Sequence, residues 1–195
     1  MSLQISIVIS VFNEEEVLER SAAAFSHIMK SHDYNYELIF VNDGSKDNSL
    51  ALLKQIAKEY SHVKVINFSR NYGHEAAMLA GIDQSIGECV ICMDADLQHP
   101  PEMIPHMIGK FRGGADILTM IRTKNPDSSF FKSVTSKLFY YLLNKVSGQN
   151  FDINASDFFL ISKRVADVLK TQFREQSRFL RGFIQIVGCA SVSGS

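Results

Sequence analysis

The sequence predicts an α/β domain built on an open, mostly parallel sheet with helices on both faces. Short β-branched apolar runs recur along the chain, and longer segments of helical period separate them. The runs read as apolar on both faces, which is how strands look when helices cover both sides of a parallel sheet. Strand and helix alternate from residue 5 to residue 121, which calls for right-handed crossovers in one sheet.

Strands are predicted at residues 5–12, 37–41, 63–68, 89–93 and 117–121. Helices are predicted between them at 14–30, 47–60, 75–85 and 101–111. In the second helix Leu50, Leu53, Ile56 and Ala57 fall on one face, and Asp47 or Asn48 is placed to cap it. Pro101 suits the first turn of the fourth, where no backbone N–H is needed. Beyond residue 122 the pattern loosens: an amphipathic helix at 128–144, a short strand at 158–161, and helices at 163–171 and 177–187. No repeat or Pro/Gly-rich linker interrupts the chain, so residues 1–195 are expected to form one domain.

Composition narrows the class. With 46% hydrophobic and 21% charged residues in 195, the chain can bury a core and is neither disordered nor fibrous. Three cysteines do not make a disulfide framework, and no apolar run reaches the ~20 residues that span a bilayer. The start, Met1-Ser2-Leu3-Gln4, lacks the basic and apolar stretches of a signal peptide. The net charge of −1 hides an asymmetry: residues 1–121 carry −7 and residues 122–195 carry +6. Metal binding in the front part and an anionic partner in the back would account for it; so would unevenly distributed solvated faces.

In an open α/β sheet the ligand sits beyond the carboxyl ends of the strands. Those ends carry Asn13-Glu14, Asn42-Asp43-Gly44-Ser45, Arg70-Asn71, Asp94-Ala95-Asp96 and Arg122. No G-x-G-x-x-G follows the first strand and no G-x-x-x-x-G-K-[ST] occurs, which argues against dinucleotide dehydrogenases and P-loop enzymes. The strongest local signal is Asp94-Ala95-Asp96-Leu97-Gln98, where carboxylates at i and i+2 project to one side of an extended segment. Carboxylates with a nearby amide suit a hard cation, Mg²⁺ or Mn²⁺, better than zinc. Asp43-Gly44-Ser45 reads equally as a turn with a helix cap or as an acceptor for a nucleobase or ribose hydroxyl. Cys89 and Cys92 form a C-x-x-C inside a strand, where they point to opposite faces and read as core. His74 reads chiefly as the opening of a helix, with contact to a ligand as the alternative; His74, His99 and His106 show no zinc-type spacing.

Taken together these segments resemble family 2 glycosyltransferases of the GT-A fold, and among them the polyprenyl-phosphate glycosyltransferases. The resemblance is carried by Ile7-Val8-Ile9-Ser10-Val11-Phe12-Asn13-Glu14, Phe40-Val41-Asn42-Asp43-Gly44-Ser45, Arg70-Asn71-Tyr72-Gly73-His74-Glu75 and Met93-Asp94-Ala95-Asp96-Leu97-Gln98-His99-Pro100-Pro101-Glu102. It continues in Ser156-Asp157-Phe158-Phe159-Leu160 and Phe179-Leu180-Arg181-Gly182. Ser10 stands where relatives often have Pro, Asn42 where many have Asp, and Ser156 where most have Gly.

The resemblance implies a nucleotide pocket lined by Ser10, Phe12, Glu14, Asp43 and Asp94, and a Mg²⁺ or Mn²⁺ ion held by Asp94, Asp96 and Gln98. Arg122, Lys132 and Ser136 are implied to grip the acceptor phosphate, with Arg122 and Asp157 as catalytic residues. The implied reaction is inverting transfer from a nucleoside-diphosphate sugar, a UDP-hexose by preference, to a polyprenyl phosphate for cell-surface glycan or lipid modification. The expected setting is the cytoplasmic face of a membrane; no nucleic-acid partner is expected, and a homo-oligomer is left open. Residues 1–121 are expected to bind nucleotide and metal and residues 122–195 to serve the acceptor. Relatives continue past this point with a basic segment and membrane helices, so the end at Ser193-Gly194-Ser195 is expected to be a truncation, or a short form relying on a separate membrane component.

Other readings fit less well. A nucleotidyltransferase would carry a Gly/Arg-rich loop after the first strand, where Asn13-Glu14-Glu15-Glu16 stands. A phosphoacceptor receiver domain would need an Asp after the third strand and a Lys after the fifth, where Arg70-Asn71 and Arg122 stand. Transfer to a saccharide hydroxyl, with Asp157 as base, and a non-catalytic sugar-nucleotide-binding module remain as alternatives.

Overall fold

A computed structural model describes residues 3–121 and 155–172. The described strands are β1 (Gln4–Val11), β2 (Asn35–Asn42), β3 (Val63–Asn67), β4 (Cys89–Asp94), β5 (Ile117–Ile121) and β6 (Ala155–Ser162). The helices are α1 (Leu18–Ser31), α2 (Ser49–Glu59), α3 (His74–Gln84), α4 (Ile104–Arg112), which a 3₁₀ turn at Pro101–Met103 introduces, and α5 (Lys163–Gln172). Each strand read from the sequence is present, with ends shifted by a few residues. The helices predicted at 128–144 and 177–187 lie outside the described residues.

One six-stranded sheet runs in the order β3-β2-β1-β4-β6-β5. β1 pairs in parallel with β2 and β4, and β2 with β3. β6 pairs antiparallel with both β4 and β5, so it enters the sheet between two strands of common direction. The sheet is therefore mostly parallel, as its doubly apolar strands require.

Alternate residues of each strand feed two separate cores. Ile5, Ile7 and Ile9 pack with Leu18 and Phe25 of α1, Leu53 of α2 and Ile104 of α4. Val8, Val41, Cys92 and Phe159 pack on the other face with Ala77 and Met78 of α3 and Val165 and Leu169 of α5. Cys89 belongs to the first core and Cys92 to the second, as opposite faces demand.

The predicted first helix opens later than its sequence suggests. Residues 14–17 form a turn in which the N–H groups of Val17 and Leu18 both donate to the Glu14 carbonyl. The competing interaction is a set of bonds to the start of α2: Glu14 N–H donates to Ser49 Oγ (2.9 Å) and Glu15 N–H to Asp47 Oδ2 (3.1 Å). In return Asn48 N–H donates to Glu15 Oε2 at 2.7 Å, and Lys46 N–H to Asn13 Oδ1 at 2.8 Å. The loops after β1 and β2 are thus stitched into one surface at the carboxyl end of the sheet. No helix among the described residues is long and apolar enough to cross a membrane.

Candidate active site

The parity of the strands decides what reaches that surface. Val8, Cys92 and Phe159 lie on the α3 face of β1, β4 and β6, with Val8 paired to Cys92 and Cys92 to Phe159. Two residues further along the same register, that face presents Ser10, Asp94 and Asp157. Where buried apolar residues end, three polar ones stand side by side. α3 caps them, because it begins at His74 directly above.

Its starting point is fixed by a turn that only certain residues allow. Gly73 has φ 96°, and its N–H donates to Asp43 Oδ2 at 2.9 Å, while Tyr72 N–H donates to Asp43 Oδ1 at 2.6 Å. Asp43 is only 2% exposed, so its carboxylate is the anchor of the 72–73 backbone. Gly44, with φ 68°, lies against the Arg70–Asn71 backbone so closely that a Cβ would come within 2.3 Å of the Arg70 carbonyl carbon. Together these contacts deliver the His74 ring into the pocket.

His74 Nδ1 lies 3.1 Å from Ser10 Oγ and 3.3 Å from Asp94 Oδ1, and Nε2 lies 3.8 Å from Asp157 Oδ1. One ligand atom from each of His74, Asp94 and Asp157 falls within 4.8 Å of the others. The surrounding pocket, about 440 Å³, is lined by Ser10, Phe12, Glu14, Asp43, Asn71, Gly73, His74, Asp94 and Asp96. Phe12 is 42% exposed and offers its ring to whatever enters.

Beyond β4 the chain is held from two sides. Ser21 Oγ of α1 donates to the Ala95 carbonyl, and Gln98 N–H donates to Asp96 Oδ1 at 3.0 Å. Leu97 takes φ 58°, a left-handed conformation that costs a branched residue energy.

The pocket concentrates negative charge. Burial pushes the Asp94 carboxyl above its ordinary value; Asp157 and Asp96 add to the rise, and His74 opposes it. Burial likewise raises Glu14, with Asp96, Asp94 and Asp47 contributing. Carboxylates that repel one another in this way, with an imidazole among them, fit a hard divalent cation by the chemistry of their donors. Asp94 and Asp96 both line the pocket, whereas Gln98 is exposed and is not among its lining residues; the described side chains close enough to share one ion are His74, Asp94 and Asp157.

Of the residues singled out in the sequence, Ser10, Phe12, Glu14, Asp43, Asp94 and Asp96 meet in this one pocket, and Asp157 reaches it through His74 and Asp94. Arg122, Lys132 and Ser136 lie outside the described residues. His74 does open a helix, as its sequence context suggests, but its side chain also joins the carboxylates. The signal that marks it is the turn at Gly73, visible in sequence only as a glycine before a helix.

Comparison with known proteins places the chain in a family. The sequence model of glycosyl transferase family 2 matches residues 6–169, and the chain belongs to that family. It is 40% identical over 186 residues to the uncharacterized glycosyltransferase YkcC of Bacillus subtilis, covering 95% of this chain and 57% of that protein. It is 36% identical over 186 residues to the bactoprenol glucosyl transferase of Shigella phage SfV, covering 95% of this chain and 60% of that protein. The chain thus spans less than two thirds of these relatives. A crystal structure of Mycobacterium tuberculosis glucosyl-3-phosphoglycerate synthase in complex with Mn²⁺, UDP and glucosyl-3-phosphoglycerate shares the GT-A fold, with a TM-score of 0.61 at 20% identity over 84% of this chain and 58% of that one.

Proposed function

We propose that the chain is the catalytic part of an inverting glycosyltransferase that moves a sugar from a nucleoside-diphosphate sugar to a polyprenyl phosphate. The observation that carries this is the meeting of Asp94, Asp157 and His74 in a pocket also lined by Phe12, Glu14, Asp43 and Asp96. The relative named for bactoprenol glucosyl transfer supports the lipid phosphate as acceptor and glucose as the sugar. A UDP donor is favoured, and the neighbour bound to UDP and Mn²⁺ supports it.

In this reading the exposed Phe12 ring receives the nucleobase, and Asp43 keeps the 72–73 backbone in place beside it. Asp94 and Asp96 are the residues that would hold a Mg²⁺ or Mn²⁺ ion, with the Gln98 backbone N–H fixing the Asp96 carboxylate. The ion, when bound, supplies Lewis-acid neutralisation of the charge that develops on the leaving diphosphate.

The acceptor's phosphate oxygen forms the new bond to the anomeric carbon from the face opposite the diphosphate. The old bond breaks with its electron pair leaving on the nucleoside diphosphate. A phosphate monoester, with a second pKa of about 6, is already mostly a dianion near neutral pH and gives up no proton in the step. Its needs are position and countercharge, which Arg122, Lys132 and Ser136 supply in this reading. Asp157 faces the transferred sugar, orients a hydroxyl and stabilises positive charge at the anomeric centre. The reaction belongs at the cytoplasmic face of a membrane, where such a lipid is met.

The test is transfer by the full-length protein on vesicles containing undecaprenyl phosphate, with a panel of radiolabelled UDP- and GDP-sugars and with Mn²⁺ or EDTA. Metal-dependent label in the lipid fraction, largest with UDP-glucose, is the expected result. Label that requires a saccharide acceptor instead, or none with any donor, overturns the reading.

A further inference from the structure

The strand order gives the pocket a carboxylate end and a far end. Asp94 and Asp96 lie at the tip of β4, Phe12 follows β1, Asp43 follows β2, and residues 68–73 follow β3, which stands three strand spacings from β4. Asn71 lines the pocket at this far end, and its side-chain amide has no hydrogen-bond partner among the described residues. Its neighbours leave it to face the pocket. Arg70 stacks over the Tyr72 ring at 4.8 Å and Tyr72 meets Phe68 edge-on at 5.4 Å, so residues 70 and 72 pack with each other rather than lining the cavity. The backbone on either side is held: Asp43 accepts from the Tyr72 and Gly73 N–H groups, and the Asn71 nitrogen lies against Gly44.

Asp43 is the residue at this end that the sequence offers as an acceptor for a nucleobase. Both of its oxygens already accept backbone N–H groups, and it is 2% exposed, so little of it is left for a ligand. Asn71 has what Asp43 lacks. An amide carries a donor and an acceptor side by side and can turn to present either. The edge of uracil is its complement: the ring N–H donates to the amide oxygen, and the adjacent carbonyl accepts from the amide nitrogen. Guanine instead presents two N–H donors beside one carbonyl, an edge that a carboxylate matches better. We propose that Asn71 reads the donor's nucleobase, pairing its amide with the edge of a uracil stacked on Phe12, and so selects uridine over guanosine donors. The inference rests on the nucleoside-diphosphate-sugar reading above and names the residue that sets which nucleotide is taken. Because the 71–73 backbone is fixed in advance, the pair forms without ordering the loop.

A probe without a base separates base reading from a disturbed loop. Binding of UDP, GDP and pyrophosphate, each with Mn²⁺, is measured by calorimetry on the full-length wild type, Asn71→Ala and Asn71→Asp, with thermal melting to report folding. Wild type is expected to prefer UDP. Asn71→Ala is expected to weaken UDP by about tenfold, the worth of one or two neutral hydrogen bonds, and to leave pyrophosphate unchanged. Asn71→Asp keeps the size of the side chain and loses its N–H donors, so the ratio of UDP to GDP affinity is expected to fall by at least about tenfold. Unchanged UDP affinity in Asn71→Ala, an equal loss for UDP and pyrophosphate, an unaltered ratio in Asn71→Asp, or a wild type that prefers GDP overturns the inference. A wild type that selects UDP through Asn71 yet transfers no sugar to undecaprenyl phosphate in vesicles defeats the transferase reading and leaves the inference standing, so the two failures are told apart.

Discussion

Asp94 at the end of β4 and Asp157 on β6 stand across the same antiparallel pair, with carboxylate oxygens within 4.8 Å of one another and the His74 ring between them. One belongs to the strand that leads into Asp-Ala-Asp and the other to a strand far along the chain. Their meeting depends on β6 entering the sheet beside β4 rather than at its edge.

Asp94→Asn removes one of these charges. Metal-dependent transfer is predicted to fall by at least about a hundredfold, because in the proposed reading this carboxylate is one of the two that would hold the cation. A steady-state assay with Mn²⁺ varied checks this, with circular dichroism confirming an intact fold.

The same variant makes a prediction about pH. Asp94 and Glu14 are held above their ordinary values of 3.8 and 4.5, so the folded chain binds their protons more tightly than the unfolded chain. Their stabilising contribution is complete below those ordinary values and is lost as pH rises through the raised folded values. Without metal, the melting temperature of Asp94→Asn is predicted to match wild type near about pH 4 and to exceed it increasingly toward about pH 7. Saturating Mn²⁺ reverses the order, since binding stabilises only the protein that holds the ion. Differential scanning calorimetry across pH, with and without Mn²⁺, reads both effects.

Gly44→Ala tests the junction of two loops. The residue sits at φ 68° with the Arg70 backbone pressed against it, so a methyl group meets both strain and a backbone clash. A loss of about 2–4 kcal/mol in urea unfolding is predicted, with weakened UDP binding because Asp43 and the 72–73 turn shift together.

The two described cysteines are predicted to be inert in the folded protein. Burial pushes the Cys89 thiol up to about 12 and the Cys92 thiol well above its usual value. Thiolate is the reactive form, so iodoacetamide followed by peptide mapping should leave both unlabelled until denaturant is added. Native labelling of either would contradict its place in the core.

Much of this is legible in the amino-acid sequence. Doubly apolar runs separated by helical periods located β1 to β5, and Asp94 and Asp96 fell at a strand end, where such sheets bind ligands. The alternation rule also put Cys89 and Cys92 in different cores. The partnership of Asp157 with Asp94 was not legible from local pattern, because it arises from long-range pairing that no local period encodes. The resemblance instead marks Asp157 as a catalytic residue. The sequence alone gives His74 little weight, because a histidine after glycine at a helix start has an adequate local explanation. Only the Asp43 anchor, acting through the Tyr72 and Gly73 backbone, turns its ring toward the carboxylates.

The central claim is that the Asp94 tip of β4 is where a divalent cation meets the donor diphosphate. Anomalous diffraction from crystals grown with Mn²⁺ and UDP tests it most directly. A manganese peak within coordination distance of Asp94 and Asp96, with the uracil against Phe12, is the predicted result. A peak elsewhere, or UDP bound with both carboxylates turned away from the ion, would contradict the account.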